Sequence, residues 1–150
     1  MPFFREFSKQ ELMTLSPLQL AFIGDSVYDL LVRGHMLRSF AKPRALHVGA
    51  ASRANAVAQA RTLQALEPHL TPEESDYARR GRNARARHAA PKAASSAEYA
   101  AATGLETLLG YLYVTGQEER LAHLFALSCA QDEDIRNLEN EPEGTTASEK

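Results

Sequence analysis

Two carboxylates stand out by their surroundings. Asp25 lies in Leu20-Ala-Phe-Ile-Gly-Asp-Ser-Val-Tyr28, with Ala21, Phe22, Tyr28 and Asp29 one helical turn away. Glu106 lies in Leu105-Glu-Thr-Leu-Leu-Gly-Tyr-Leu-Tyr113, flanked at one turn by Ala102, Thr103, Leu109 and Gly110. A carboxylate on an apolar helix face, with no cationic neighbour one turn away on its own helix, faces a desolvation cost of several kcal/mol unless something compensates. An arginine from another helix is one compensation, and on residue type alone it is the more ordinary one. A divalent cation is the other, because one or two carboxylates plus waters make a typical magnesium site. Gly24 and Gly110 lie beside or one turn from these acids. A glycine inside a helix costs about 1 kcal/mol relative to alanine, so each implies a close approach of backbone or ligand.

A second feature is basic. Arg79, Arg80, Arg82, Arg85, Arg87 and Lys92, with Asn83 among them, fall in a stretch without an acid. Such density suits a polyanion, since each neutralised phosphate releases condensed counterions. A solvated charged loop is the bland alternative. The net charge of −2 hides this asymmetry. From Asp132 to Lys150 seven acids face two bases, a net of −5, leaving 12 acids and 15 bases, a net of +3, for residues 1–131.

Weaker candidates drop out. The five histidines never fall at i, i+4 or near the one cysteine, which argues against zinc. Cys129 has no adjacent histidine to make it a nucleophile and reads as a small core residue. Asp29 and Arg33 have the spacing of a helix-surface ion pair. The stretch around Gly81 has too few glycines for a phosphate cradle.

The 150 residues suffice for one domain, and 44% hydrophobic with 24% charged residues is a globular composition. No run of about 18 apolar residues suits a membrane span, and Met1-Pro-Phe-Phe-Arg-Glu6 lacks a secretory core. One cysteine cannot form an internal disulfide. A cytoplasmic protein is the expectation.

The elements that must hold these groups are helices. Ser8-Lys-Gln-Glu11 has capping-box spacing and starts a short helix over about 9–14. Ser16-Pro17 opens a longer one to about 38, with Leu20, Ile23, Val27, Leu30 and Leu31 at helical spacing. Lys42-Pro43 begins an alanine-rich segment reaching Leu66, with Gly49-Ala-Ala-Ser52 as the expected interruption. Thr71-Pro-Glu-Glu74 caps a helix expected to stop at Gly81, leaving Gly81 to Pro91 as an exposed basic loop. Ser95 or Ser96 caps a helix to Thr115, Gly116 ends it, and a last helix spans about 117–130. The tail from Asp132 is expected to be disordered. There is no internal repeat.

Taken together, the segments resemble a known family. Phe22-Ile-Gly-Asp-Ser-Val27 is similar to the signature helix of the ribonuclease III catalytic domain, and Leu105 to Tyr113 to its second acidic helix. Lys42-Pro43 with Leu46-His47, Ala58-Gln-Ala60, Arg80-Gly-Arg-Asn-Ala84, Pro91-Lys92 and the run from Gly110 to Leu121 extend the likeness. In this order, over about 16–125, they resemble Mini-ribonuclease III, the branch lacking a separate double-stranded-RNA-binding domain.

The resemblance implies an all-α, homodimeric, magnesium-dependent endoribonuclease trimming precursor RNA of the large ribosomal subunit, with the assembling ribosomal particle as a further partner. By the same likeness Asp25 and Glu106 are the catalytic residues, and both hold the metal that activates the attacking water. Without a second RNA-binding domain, Arg79, Arg80, Arg82, Asn83, Arg85, Arg87 and Lys92 are expected to grip the duplex. Two positions depart from the larger enzymes of the family, which carry further acids where this chain has Ala21 and Thr103. That thins the metal shell, and it leaves open a double-stranded-RNA-binding module of the same fold that has lost cleavage. A helical protein–protein adaptor is a third reading.

Overall fold

Hydroxyl caps set the helix starts where the sequence spacing predicts them. Ser8, Ser16 and Ser95 each accept from the third residue of the following helix, whose Glu or Gln reaches back to the cap amide. Thr71 and Glu74 form the same reciprocal pair, at 2.8 and 3.2 Å. The computed structural model describes residues 5–38, 42–85 and 95–139, with side chains described to residue 130. These residues form seven helices: α1 (Lys9–Met13), α2 (Pro17–Leu37), α3 (Pro43–Ala54), α4 (Ala56–Leu66), α5 (Pro72–Arg85), α6 (Ser96–Val114) and α7 (Glu118–Glu139). A short 3-10 turn follows α4, and no strand occurs among the described residues.

Three boundaries differ from expectation, each for a local reason. The alanine-rich segment breaks at Asn55 rather than at Gly49-Ala-Ala-Ser52. Asn55 is extended, and its side chain accepts from the Ala58 amide at 2.9 Å, so it caps α4. Gly49 stays inside α3, where a Cβ would lie 2.2 Å from the Met36 methyl. The second difference matters more. Gly81 does not end α5; it is buried, with Thr107 Oγ1 only 2.3 Å from where its Cβ would be. The basic stretch expected to be a loop is therefore helical through Arg85. Third, α7 continues to Glu139 instead of ending near 130. Gly116, at φ 72°, does close α6 as expected.

α6 is the central helix, packed against α2, α4, α5 and α7. Its Leu105, Leu108 and Leu112 are fully buried together with Leu20, Val32, Leu63 and Leu124. Each fully buried aliphatic side chain contributes about 1.5–3 kcal/mol. Two contacts fix the helices at backbone distance. A Cβ on Gly24 would lie 1.7 Å from the Glu106 carbonyl oxygen, and one on Gly110 1.9 Å from that of Leu20. On the other side of α6, a Cβ on Gly104 would lie 2.7 Å from the Ala78 carbonyl oxygen of α5. α5 runs along α6 with opposite chain sense: Tyr77 stacks on Tyr111 at 3.9 Å, and Arg85 reaches Thr103 at 3.0 Å. A buried pair ties α7 to α5, with Arg120 donating to both Glu74 carboxylate oxygens at 2.8 and 2.9 Å.

The backbone crossing leaves no room for even one methyl group. Gly24→Ala should cost about 3 kcal/mol or more, as overpacking against backbone cannot relax. Gly34, on the same helix, has nothing within 4 Å of its Cβ position. Gly34→Ala should gain up to about 1 kcal/mol from helix propensity. Thermal melts of the two variants check this, and an unchanged midpoint for Gly24→Ala would contradict it.

Candidate active site

The crossing of α2 and α6 puts Asp25 and Glu106 on the wall of one open cavity of about 470 Å³. Ala21, Phe22 and Ser26 of α2, Gln59 of α4, Arg85 of α5, and Tyr99 and Thr103 of α6 also line it. With Ala54 of α3 also on the wall, five helices converge on two acids that lie 81 positions apart in sequence.

The two carboxylates are not equivalent. Asp25 is exposed, so the desolvation expected of it does not arise. Glu106 is partly buried, and its pKa is pushed up from 4.5 to about 7. Loss of water contact is the largest cause, and the negative charge of Asp25 adds to it. The Arg85 guanidinium and a hydrogen bond from Gln59 oppose the rise without cancelling it. Neither acid makes an ion pair among the described residues, so pairing with an arginine is not the compensation found.

Gln59 was quoted above only as part of a motif. It is 2% exposed, donates from Nε2 to the Ala54 carbonyl at 3.0 Å, and leaves its buried Oε1 without a partner. Two carboxylates on one cavity are hard oxygen donors that fit a divalent cation such as magnesium, and Gln59, with its unpartnered buried Oε1, lines the same cavity. No cluster of three or more acids, histidines or cysteines occurs among the described residues. A metal held by Asp25 and Glu106 would therefore need water and substrate oxygens to complete its shell.

The predicted RNA-contacting residues divide. Arg85 turns into the cavity, where its Nε donates to Thr103 Oγ1 at 3.0 Å and its guanidinium lies 4.7 Å from the Tyr99 ring centroid. Arg79 pairs with Asp76, and Arg82 with Glu67, both at the surface. Arg80 lies over the Tyr77 ring at 4.9 Å. Asn83 is exposed. Arg87 and Lys92 lie outside the described residues. The structure brings together Asp25, Glu106 and Arg85, and it places Arg79, Arg80 and Arg82 elsewhere on α5. Of the positions missed as functional, Gln59 gave one signal, a polar side chain in an apolar alanine-rich segment.

An all-helical domain with two acids and a guanidinium on one open cavity has the groups that a phosphodiester-cleaving hydrolase needs. Comparison with known proteins narrows this. Residues 18–117 match the ribonuclease III domain model. A Mini-ribonuclease 3 of Symbiobacterium thermophilum is 50% identical over 113 residues, covering 75% of this chain and 86% of that protein. One from Thermoanaerobacter is 41% identical over 81% of this chain and 85% of the other, and one from Clostridium tetani 34% over 93% of each. A crystal structure of a Fusobacterium nucleatum protein superposes with a TM-score of 0.73, covering 81% of this chain and 97% of that one, at 24% identity, which supports the fold. The chain belongs to the ribonuclease III family, within its Mini-ribonuclease 3 branch, and is an endoribonuclease.

The raised pKa of Glu106 has a testable sign. Its folded value of about 7 lies above the ordinary 4.5, so burial favours the protonated acid. The resulting stability is fully present below about pH 4.5 and is lost as pH rises through 7. In EDTA, urea unfolding of the wild type should therefore move to lower midpoints between pH 5 and pH 8. Glu106→Gln should remain flat and exceed the wild type at pH 8 by up to about 3 kcal/mol. A parallel decline in both proteins would show that Glu106 is not the group responsible.

Proposed function

We propose that the chain is a magnesium-dependent, homodimeric endoribonuclease that cleaves double-stranded precursor RNA of the large ribosomal subunit in the cytoplasm. The observation that carries this is the placement of Asp25 and Glu106 on one cavity with the orphaned Gln59 oxygen between helices. The choice of precursor ribosomal RNA, and of the assembling ribosomal particle as a further partner, rests on the resemblance to Mini-ribonuclease III. The cytoplasmic assignment rests on an RNA substrate and on a chain with one cysteine.

A divalent cation held by Asp25 and Glu106 supplies activation of the attacking water and charge stabilisation at the departing 3′-oxygen. Asp25, exposed and unpaired, is free to orient that water and to meet the backbone phosphate. Glu106 takes the inner position, where it must give up its proton below pH 7 before it can serve as a ligand. A-form duplexes are read through shape, phosphates and 2′-hydroxyls, which suits a fixed cavity flanked by donors rather than a base-reading groove. Arg79 and Arg82 can serve as such donors despite their partners. Exposed ion pairs are worth about 0–1 kcal/mol, so each arginine exchanges Asp76 or Glu67 for phosphate at little cost. Residues 1–131 act as the catalytic domain, and the tail of net charge −5 beyond them opposes non-specific RNA binding.

The dimer is supported by the outer face of α2. Phe22, Leu30 and Leu37 are 83%, 68% and 64% exposed and fall within about a quarter-turn of one another around the helix. A stripe of large apolar side chains beside a catalytic residue suits a second copy. The expected sedimentation mass is twice 16.5 kDa. Leu30→Asp, which does not line the acidic cavity, should shift it towards the monomer. A wild-type monomer at micromolar concentration would remove the dimer from this reading.

Cleavage itself is tested with a precursor ribosomal RNA duplex. Magnesium should support strand scission, and EDTA should abolish it. Asp25→Asn should lower the rate by about 10²-fold or more, as expected when a preorganised charge at the reacting centre is removed. Full activity of Asp25→Asn would sink the mechanism. A protein that shifts duplex mobility but never cuts would be a binding module.

A further inference from the structure

Arg85 differs from Arg79, Arg80 and Arg82 in what holds it. It is the last described residue of α5, and its side chain lines the cavity that Asp25 and Glu106 share. Thr103 takes its Nε–H at 3.0 Å, and the Tyr99 ring supports the guanidinium plane at 4.7 Å. Both partners come from α6, the helix that carries Glu106. Neither is a carboxylate, and Arg85 makes no ion pair among the described residues. The guanidinium is thus oriented through one nitrogen while its two terminal nitrogens keep their donors. This is the fork that matches two oxygens of a phosphate.

The charge balance of the cavity points the same way. Arg85 is the cation among the described residues lining the cavity, beside the acids Asp25 and Glu106, so it is the protein group there able to meet the negative charge of a phosphodiester. Arg79 and Arg82, by contrast, are already neutralised by surface acids and lie away from the cavity.

We infer that Arg85 is a catalytic residue that binds a non-bridging oxygen of the scissile phosphate. It supplies from the protein the second positive charge beside a single metal ion, with Thr103 and Tyr99 as its positioning residues. The inference rests on the endonuclease reading above and deepens it. No bond to Arg85 forms or breaks: it stabilises charge as water adds to phosphorus and the 3′-oxygen leaves. The neutral Thr103 is essential to this arrangement, because an acid at that position would draw the guanidinium away from the phosphate.

The experiment compares wild type, Arg85→Gln and Arg85→Lys in magnesium by two readouts. At saturating duplex, single-turnover cleavage by Arg85→Gln should fall about 10²–10³-fold. Duplex affinity should stay within about threefold, since one phosphate contact among many is lost. Arg85→Lys should recover part of the rate, keeping the charge without the fork. The second readout needs no cleavage. A short RNA duplex carrying a 5′-phosphate, the end that departure of the 3′-oxygen creates, should bind wild type at least about tenfold more tightly than its 5′-hydroxyl counterpart. Arg85→Gln should abolish that preference, with its melting temperature near wild type. Wild-type cleavage by Arg85→Gln, or an undiminished 5′-phosphate preference, would overturn the assignment. Failure of the wild type to cut any duplex would instead overturn the endonuclease reading, and the 5′-phosphate preference would still decide Arg85.

Discussion

The backbone contact between α2 and α6 is the constraint on which the rest of the molecule depends. Gly24 meets the Glu106 carbonyl, and Gly110 meets the Leu20 carbonyl, at distances that exclude any side chain. Asp25 follows Gly24 in the chain, and Glu106 supplies the carbonyl that Gly24 touches. The placement of Asp25 beside Glu106 is therefore set by main-chain geometry rather than by flexible side chains. The same device recurs on the opposite side of α6, where Gly81 and Gly104 bring α5 close enough for Arg85 to reach Thr103. Two glycine contacts on one central helix thus deliver an acid from α2 and a guanidinium from α5 to a glutamate on α6. Each glycine inside a helix gives up about 1 kcal/mol of propensity. Burial around Leu105, Leu108 and Leu112 offsets that cost.

The electrostatics of the site follow from this crossing. Because α6 lies inside and α2 outside, Glu106 loses water while Asp25 keeps it. The pair is asymmetric: Asp25 is exposed at the surface, and Glu106 has its pKa raised to about 7 by burial and by the charge of Asp25. Glu106 would have to be deprotonated to hold a cation, so metal affinity there would weaken as pH falls below about 7. Arg85 moderates the rise without removing it, as expected of a guanidinium whose Nε is already engaged by Thr103.

Much of this was legible in the sequence, for identifiable reasons. Hydroxyl–Glu and hydroxyl–Gln pairs at three-residue spacing mark helix starts because capping is a local interaction, and each such start was found. Asp25 and Glu106 were conspicuous because each is a charge in an apolar helical stretch, although only Glu106 turns out to lose water. Glycine was harder. Gly81 read as a helix stop, yet it serves as a close-packing position, and only the presence of Thr107 on another helix distinguishes the two. Gly116, with the positive φ of a true terminator, was read correctly. Sequence could not tell which acid is buried, because that depends on which of two apolar helices lies at the centre.

The correction at Gly81 changes the meaning of the basic stretch. On a loop, Arg79, Arg80, Arg82 and Arg85 would be interchangeable charges that differ only in reach. On a helix they are separated by 100° per residue, and each meets different neighbours. Arg79 and Arg82 find acids at the surface, Arg80 finds the Tyr77 ring, and Arg85 finds the catalytic cavity. On the proposed reading, binding and chemistry fall to different arginines of one helix. The exchangeable surface pairs of Arg79 and Arg82 would provide salt-sensitive attraction to a duplex, whereas Arg85, held by Thr103 and Tyr99 of α6, would provide charge at a defined point. A cluster that seemed uniform in composition becomes a division of labour, and the helical continuation past a buried glycine creates it.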